Sequence, residues 1–206
     1  RGEAAAAWMI NSRVVSVAAV APVIRMYHSA GRDSAASYRV PQTGIIGPAV
    51  KSIDEIFPNS LCGVIRTLDP DAGFKACLAA IEGGVAAIEV TTTVPSCFEM
   101  VRGILATTGG KSAIGVGTVW DSGAVEEAKD AGADFIVTPV LLPDVAEACR
   151  KEGLLCVMGA LTPTEIYPAR LGGAALLQVF PIEPLGRLHS HSALNRPMGC
   201  VTDWLG

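Results

Sequence analysis

The sequence predicts an α/β fold of repeated βα units, a parallel sheet or barrel, and three observations carry that prediction. Glycine-led segments recur at Gly84, Gly110, Gly132, Gly153 and Gly173, spaced 26, 22, 21 and 20 residues apart. A glycine that closes a helix, a short apolar strand, a polar loop and a second helix together take about 20 to 25 residues. The segments after the glycines also align: Val85-Ala86-Ala87-Ile88-Glu89-Val90, Ala133-Asp134-Phe135-Ile136-Val137-Thr138 and Ala174-Ala175-Leu176-Leu177-Gln178-Val179. Strands buried on both faces read as such apolar runs. Finally, helix-start signals stand at the right places, as in Asp69-Pro70 and Thr162-Pro163-Thr164-Glu165, where a capping side chain precedes a proline that needs no N–H partner.

The elements follow in order. After the Pro- and Gly-bearing loop Pro41 to Pro48, a short helix runs from Lys51 to Phe57 and stops at Pro58-Asn59. Strand one is Leu61 to Arg66, with its helix from Asp69 to Glu82. Strand two, Val85 to Thr92, leads to a helix from Pro95 to Ala106; strand three, Ser112 to Val119, leads to one opening at Asp121. Strand four is Ala133 to Pro139, with a helix from Leu142 to Glu152, and strand five is Leu154 to Leu161. The fifth helix of the repeat ends near Gly172-Gly173, and strand six runs from Ala175 to Phe180. Arg187 to Gly206 shows neither helical nor strand periodicity.

Half of the 206 residues are hydrophobic and 17% are charged, enough for one sizeable core and against a disordered chain. The net charge of -4 hides an imbalance: residues 1 to 50 carry +3 and the remainder -7. The acidic globular part gives no support to nucleic-acid binding. Six cysteines lack CxxC spacing and read as reduced core thiols rather than disulfides or metal ligands. The apolar stretch Val14 to Ile24 contains Pro22 and is too short to span a bilayer, so no membrane span is expected. Residues 1 to 40, rich in Ala, Ser and Arg, read as a transit-peptide-like extension, for a plastid or mitochondrion, or as disorder.

Two slots stand out chemically. Glu89 and Gln178 occupy the same position of the repeat, where apolar residues are expected. A carboxylate near the mouth of an apolar sheet would have a raised pKa and could move protons near neutrality; the plainer reading is a pair with Arg66 across neighbouring strand ends. Gly115-Val116-Gly117-Thr118-Val119 is a glycine-bearing strand end that would let a small ligand approach the backbone while the Thr118 hydroxyl donates to it. It lacks the spacing of a dinucleotide fingerprint or a P-loop. His189 and His191 read as solvated, and no metal or other cofactor is expected.

Val64-Ile65-Arg66, Gly84 through Thr91, Gly115 through Val119, Phe135 through Pro139, Gly159 through Glu165 and Val179-Phe180-Pro181 resemble, in order and spacing, the 2-keto-3-deoxy-6-phosphogluconate (KDPG) and 4-hydroxy-2-oxoglutarate (KHG) aldolase family. The resemblance covers Lys51 to Pro181. It implies a class I aldolase on a (β/α)8 TIM-type barrel, usually a homotrimer, that cleaves a 2-keto-4-hydroxy acid to pyruvate and an aldehyde through a lysine imine. The counterpart of Glu89 shuttles protons, that of Thr118 helps hold the pyruvate carboxylate, Pro139 and Phe180 match pocket residues, and Arg66 matches an arginine suited to an anionic substrate.

Two departures qualify this. The position of the imine-forming lysine is Gln178, and a carboxamide nitrogen, its lone pair delocalised, forms no Schiff base. Thr93 stands where better-known members carry an arginine for the carboxylate. The barrel is also incomplete: two further βα units need on the order of 40 residues, whereas 25 follow Pro181. The expectation is therefore an extension (1–40), an aldolase-type βα domain of about six parallel strands (41–182) and an irregular tail (183–206), with exposed edges at strands one and six and weak or no imine-dependent turnover. The competing reading is a truncated or splice-variant homologue acting as a binding subunit. A third is a metal-dependent aldolase using Glu89 and the tail histidines.

Overall fold

The computed structural model describes residues 16–19, 51–58, 61–180 and 204–205. Among them, βα alternation produces β2 (Cys62–Arg66), α2 (Pro70–Glu82), β3 (Ala87–Thr91), α3 (Cys97–Thr108), β4 (Ala113–Gly117), α4 (Ser122–Ala131), β5 (Phe135–Val137), α5 (Pro143–Glu152), β6 (Leu155–Ala160), α6 (Pro163–Leu171) and β7 (Leu176–Val179). These follow β1 (Ser16–Ala19) and α1 (Ile53–Ile56), and β8 (Trp204–Leu205) ends the order. Strands β2 to β7 are parallel neighbours in sequence order. They form a curled half-barrel with helices, the expected architecture.

Helices α2 and α4 begin where the sequence signals them, whereas α3, expected from Pro95 to Ala106, begins at Cys97. Asp69 and Asp121 each accept a hydrogen bond from the backbone N–H three residues on, Ala72 and Ala124, at 3.0 Å, which satisfies one of the first-turn N–H groups that have no partner within the helix. Gly132, at φ +89°, closes α4 in the left-handed conformation that other residues adopt only under strain.

Strand alternation sorts the apolar residues into two layers. Ile65, Ile88, Val90, Ile114, Val116, Ile136, Met158 and Leu177 face the helices in the larger core. Cys62, Ala87, Ala113, Phe135, Leu155 and Leu176, each at the start of its strand or next to it, form an inner cluster with Ile56 and Phe57 of α1. The Phe57 and Phe135 rings meet edge to face at 5.0 Å. Lys51 Nζ pairs with Asp134 Oδ1 at 2.5 Å, while Asp134 Oδ2 accepts from Ile114 N at 3.0 Å. The segment before α1 is thus fixed to β4 and to the turn before β5. The inner face is filled at the strand starts, which leaves the polar residues to the strand ends.

Two expectations are corrected. The outer strands do not present bare edges, whose unpaired N–H and C=O groups would seek partners. Antiparallel β1 lies on β2, with Ser16 opposite Arg66 and Ala19 opposite Gly63, and β8 lies parallel on β7, with Leu205 opposite Gln178. A two-residue strand leaves no readable period, so the tail reading missed it. The rest of the 1–40 extension, the rest of the 183–206 tail, Cys200, His189 and His191 lie outside the described residues.

Candidate active site

Glu89 sits mid-strand on β3, level with Val64 of β2 and Gly115 of β4. Its residue is 8% exposed. The carboxylate lies over Gly117: a Cβ placed there would come within 1.7 Å of Glu89 Oε1 and 2.3 Å of its Cδ. Burial pushes the carboxyl up to about 7, and the nearby Arg66 charge pulls the other way. The group therefore exchanges a proton close to neutrality, as a general acid or base requires. Cys62, on the neighbouring strand, has its thiol pushed well up, first by burial and then by the Glu89 charge.

Arg66 ends β2 and is exposed. Its Nη2 donates to Thr118 Oγ1 at 3.2 Å, and among the described residues no ion pair joins it to Glu89. Thr118, just past β4, holds φ +58°, an outlier for a β-branched residue. Its carbonyl accepts from Thr92 Oγ1 at 2.7 Å, while Thr92 N donates to Gly117 O at 2.9 Å, so β3 and β4 hold that conformation between them. Thr91 Oγ1 donates to Ile65 O at 3.2 Å and lies 2.7 Å from Thr93 Oγ1. A hydroxyl has one hydrogen, so Thr93 is the donor to Thr91. Thr93 is exposed beside the Glu89 group.

Gln178 is half-buried and level with Gly159. It follows Leu176 at the strand spacing of two, and Leu176 belongs to the inner cluster with Phe135; Gln178 and Glu89 thus stand on the same face of the sheet. At Gly159 an added Cβ would meet the Pro139 carbonyl at 2.3 Å and Val140 N at 2.6 Å, so the peptide after Pro139 crosses directly over this glycine. Buried Thr138 fixes that crossing by accepting from Gly159 N at 3.2 Å and donating to Val140 O at 2.7 Å. Phe180 follows β7 and is half-exposed.

Every sequence-predicted site residue therefore lies on the inner face or at the strand ends. Arg66, Glu89, Thr93 and Thr118 form one group on β2 to β4, and Pro139, Gln178 and Phe180 a second on β5 to β7. One detail is corrected: Gly115 and Gly117 do not leave open backbone. Their space is taken by the protein's own Phe135 ring, 2.3 Å from a Cβ at Gly115, and by Glu89. Sequence reading missed Phe135, Thr138 and the seating role of Gly159; two glycines on a strand otherwise rich in β-branched residues were the available signal. Cys62, Cys77, Cys97, Cys149 and Cys156 are buried and free, as expected of core thiols. No helix among the described residues is long and apolar enough to cross a membrane.

Comparison with known proteins agrees with the fold. Residues 53–202 match the family model described as KDPG and KHG aldolase. A probable 2-dehydro-3-deoxy-6-phosphogalactonate aldolase of Rhizobium meliloti is 32% identical over 126 residues, covering 61% of this chain and 59% of the relative. A 2-dehydro-3-deoxy-phosphogluconate aldolase of Treponema pallidum is 33% identical over 123 residues, covering 60% and 58%. The chain thus spans less than three fifths of these relatives' length. A solved structure described as native KDPGal superimposes with a TM-score of 0.60 at 29% identity over 64% of each chain.

Proposed function

Because the chain belongs to the KDPG and KHG aldolase family, we propose that its inner face is a binding site for 2-keto acids of the pyruvate type, built on the scaffold of a pyruvate-releasing class I aldolase. In this reading Arg66 and the Thr118 hydroxyl receive the carboxylate, Glu89 moves a proton at the carbon next to the carbonyl, and Pro139 and Phe180 border the pocket. Gln178 takes the place of the imine-forming lysine. The observation that carries the reading is the common face of Glu89 and Gln178: the second polar slot stands on the inner face of the sheet, where in this reading the carbonyl of a bound keto acid finds a partner.

The chemistry sets the limit. An amide offers no nucleophilic electron pair, so cleavage of a 2-keto-4-hydroxy acid through an imine is expected to be weak or absent in this chain. Thr93, a hydroxyl where an arginine would add charge for the carboxylate, leaves Arg66 as the cation of the first group. The test is pyruvate release from 4-hydroxy-2-oxoglutarate, followed by a coupled dehydrogenase. The unaltered chain should show little release and Gln178→Lys a gain of about 100-fold or more, the scale of covalent and acid–base steps. Rapid release by the unaltered chain would contradict this assignment of Gln178.

A further inference from the structure

We propose that the site catalyses keto–enol tautomerisation of 2-keto acids bearing an apolar group at C3, with no covalent intermediate. The inference rests on the keto-acid reading above but assigns a different reaction. Three features of the site support it. Glu89 is buried against Gly117, where its carboxylate has no hydrogen-bond donor among the described residues and can act as a base. Gln178, on the same face, carries amide N–H groups that can donate to a carbonyl oxygen without attacking its carbon. Finally, the loops beyond the strands carry exposed apolar side chains: Leu68 after β2, Trp120 after β4, Val140 after β5 and Phe180 after β7, at 84%, 57%, 42% and 49% exposure. In a parallel sheet these loops share one edge, so these apolar side chains stand at the same edge as Arg66, the cation suited to a carboxylate, while Asp69 and Asp121 of that edge are engaged in capping α2 and α4.

The step balances without a co-reactant. The Glu89 carboxylate removes a proton from C3, the C3–H electron pair becomes the C2=C3 double bond, and the carbonyl π pair moves to the C2 oxygen. That oxygen accepts a hydrogen bond from Gln178 and takes a proton from water, and the hydroxide left behind takes the proton from Glu89, which restores both the water and the carboxylate. In the reverse direction protonated Glu89 returns a proton to C3, and in D2O it returns a deuteron. Arg66 and Thr118 hold the carboxylate throughout.

The experiment follows loss of the pyruvate methyl signal in D2O by proton NMR, and ketonisation of phenylpyruvate by its enol absorbance, with binding of each acid monitored by saturation transfer. The expected result is acceleration of both over buffer, a fall of about 100-fold or more in Glu89→Gln, and no borohydride-trapped adduct on the unaltered chain. Binding without acceleration, acceleration unchanged in Glu89→Gln, or a trapped adduct would each overturn the tautomerase proposal and leave the keto-acid site standing. Acceleration of pyruvate with exclusion of phenylpyruvate would overturn the apolar-substituent assignment. Absence of binding by either acid would overturn the keto-acid reading itself.

Discussion

Glu89 links stability and chemistry in one side chain. Its carboxyl, moved from an ordinary value of 4.5 to about 7 by burial, keeps a proton in the folded chain that the unfolded chain has already released. Stability from this group is therefore complete below about 4.5 and is lost as pH rises through about 7, a span corresponding to on the order of 3 kcal/mol. Urea unfolding across that range should show the decline in the unaltered chain and a flatter profile in Glu89→Gln; equal slopes would mean that the carboxyl is solvated. Two glycines separate site from scaffold. In Gly117→Ala the new methyl meets the Glu89 side chain from Oε1 to Cγ, so that side chain must turn away while the backbone stays: C3 exchange should fall, and thermal unfolding should change less than for a backbone clash. In Gly159→Ala the methyl meets the Pro139–Val140 backbone, which must move, at a cost of about 1–3 kcal/mol in the same unfolding measurement.

At the scale of elements, the capped helix starts were legible, whereas the start of α3, expected at Pro95 and found at Cys97, and the end of β4 were not. Asp69-Pro70 and Asp121 announce helices through a carboxylate that accepts a first-turn N–H, and Thr162-Pro163 through a proline that needs no N–H partner and a glutamate three residues on that reaches back. Glu165 illustrates its strength: Oε2 accepts from Leu161 N at 3.0 Å, Thr162 N at 2.8 Å and Thr162 Oγ1 at 2.8 Å, and these bonds hold its carboxyl below the usual range, the backbone N–H of Thr162 first. Glu165→Ala should cost about 1 kcal/mol by urea unfolding above the carboxylate range. That difference should shrink as acid protonates Glu165 in the unaltered chain. Strand ends depend on neighbours instead. The strand expected from Ser112 to Val119 stops at Gly117 because Thr118 turns to φ +58°, held by Thr92 just past β3, and no local pattern announces a contact made 26 residues away.

At the scale of the molecule, the cadence of glycines and apolar runs was enough to read a parallel α/β sheet, and the polar exceptions at Glu89 and Gln178 were enough to single out one face of it. What strand patterning alone could not separate was the inner from the outer face, since β3, β4 and β6 are buried on both. The inner filling by Phe135, the peptide crossing at Gly159 and the pairing of β1 and β8 with the outer strands arise from tertiary packing. The account as a whole depends on Gln178 facing the same cavity as Glu89. Its most direct test is to treat Gln178→Lys and the unaltered chain with pyruvate and borohydride and to measure intact mass with peptide mapping. The account predicts a single pyruvyl adduct at position 178 of the variant and none on the unaltered chain; a folded variant without an adduct, or an adduct on any lysine of the unaltered chain, would contradict it.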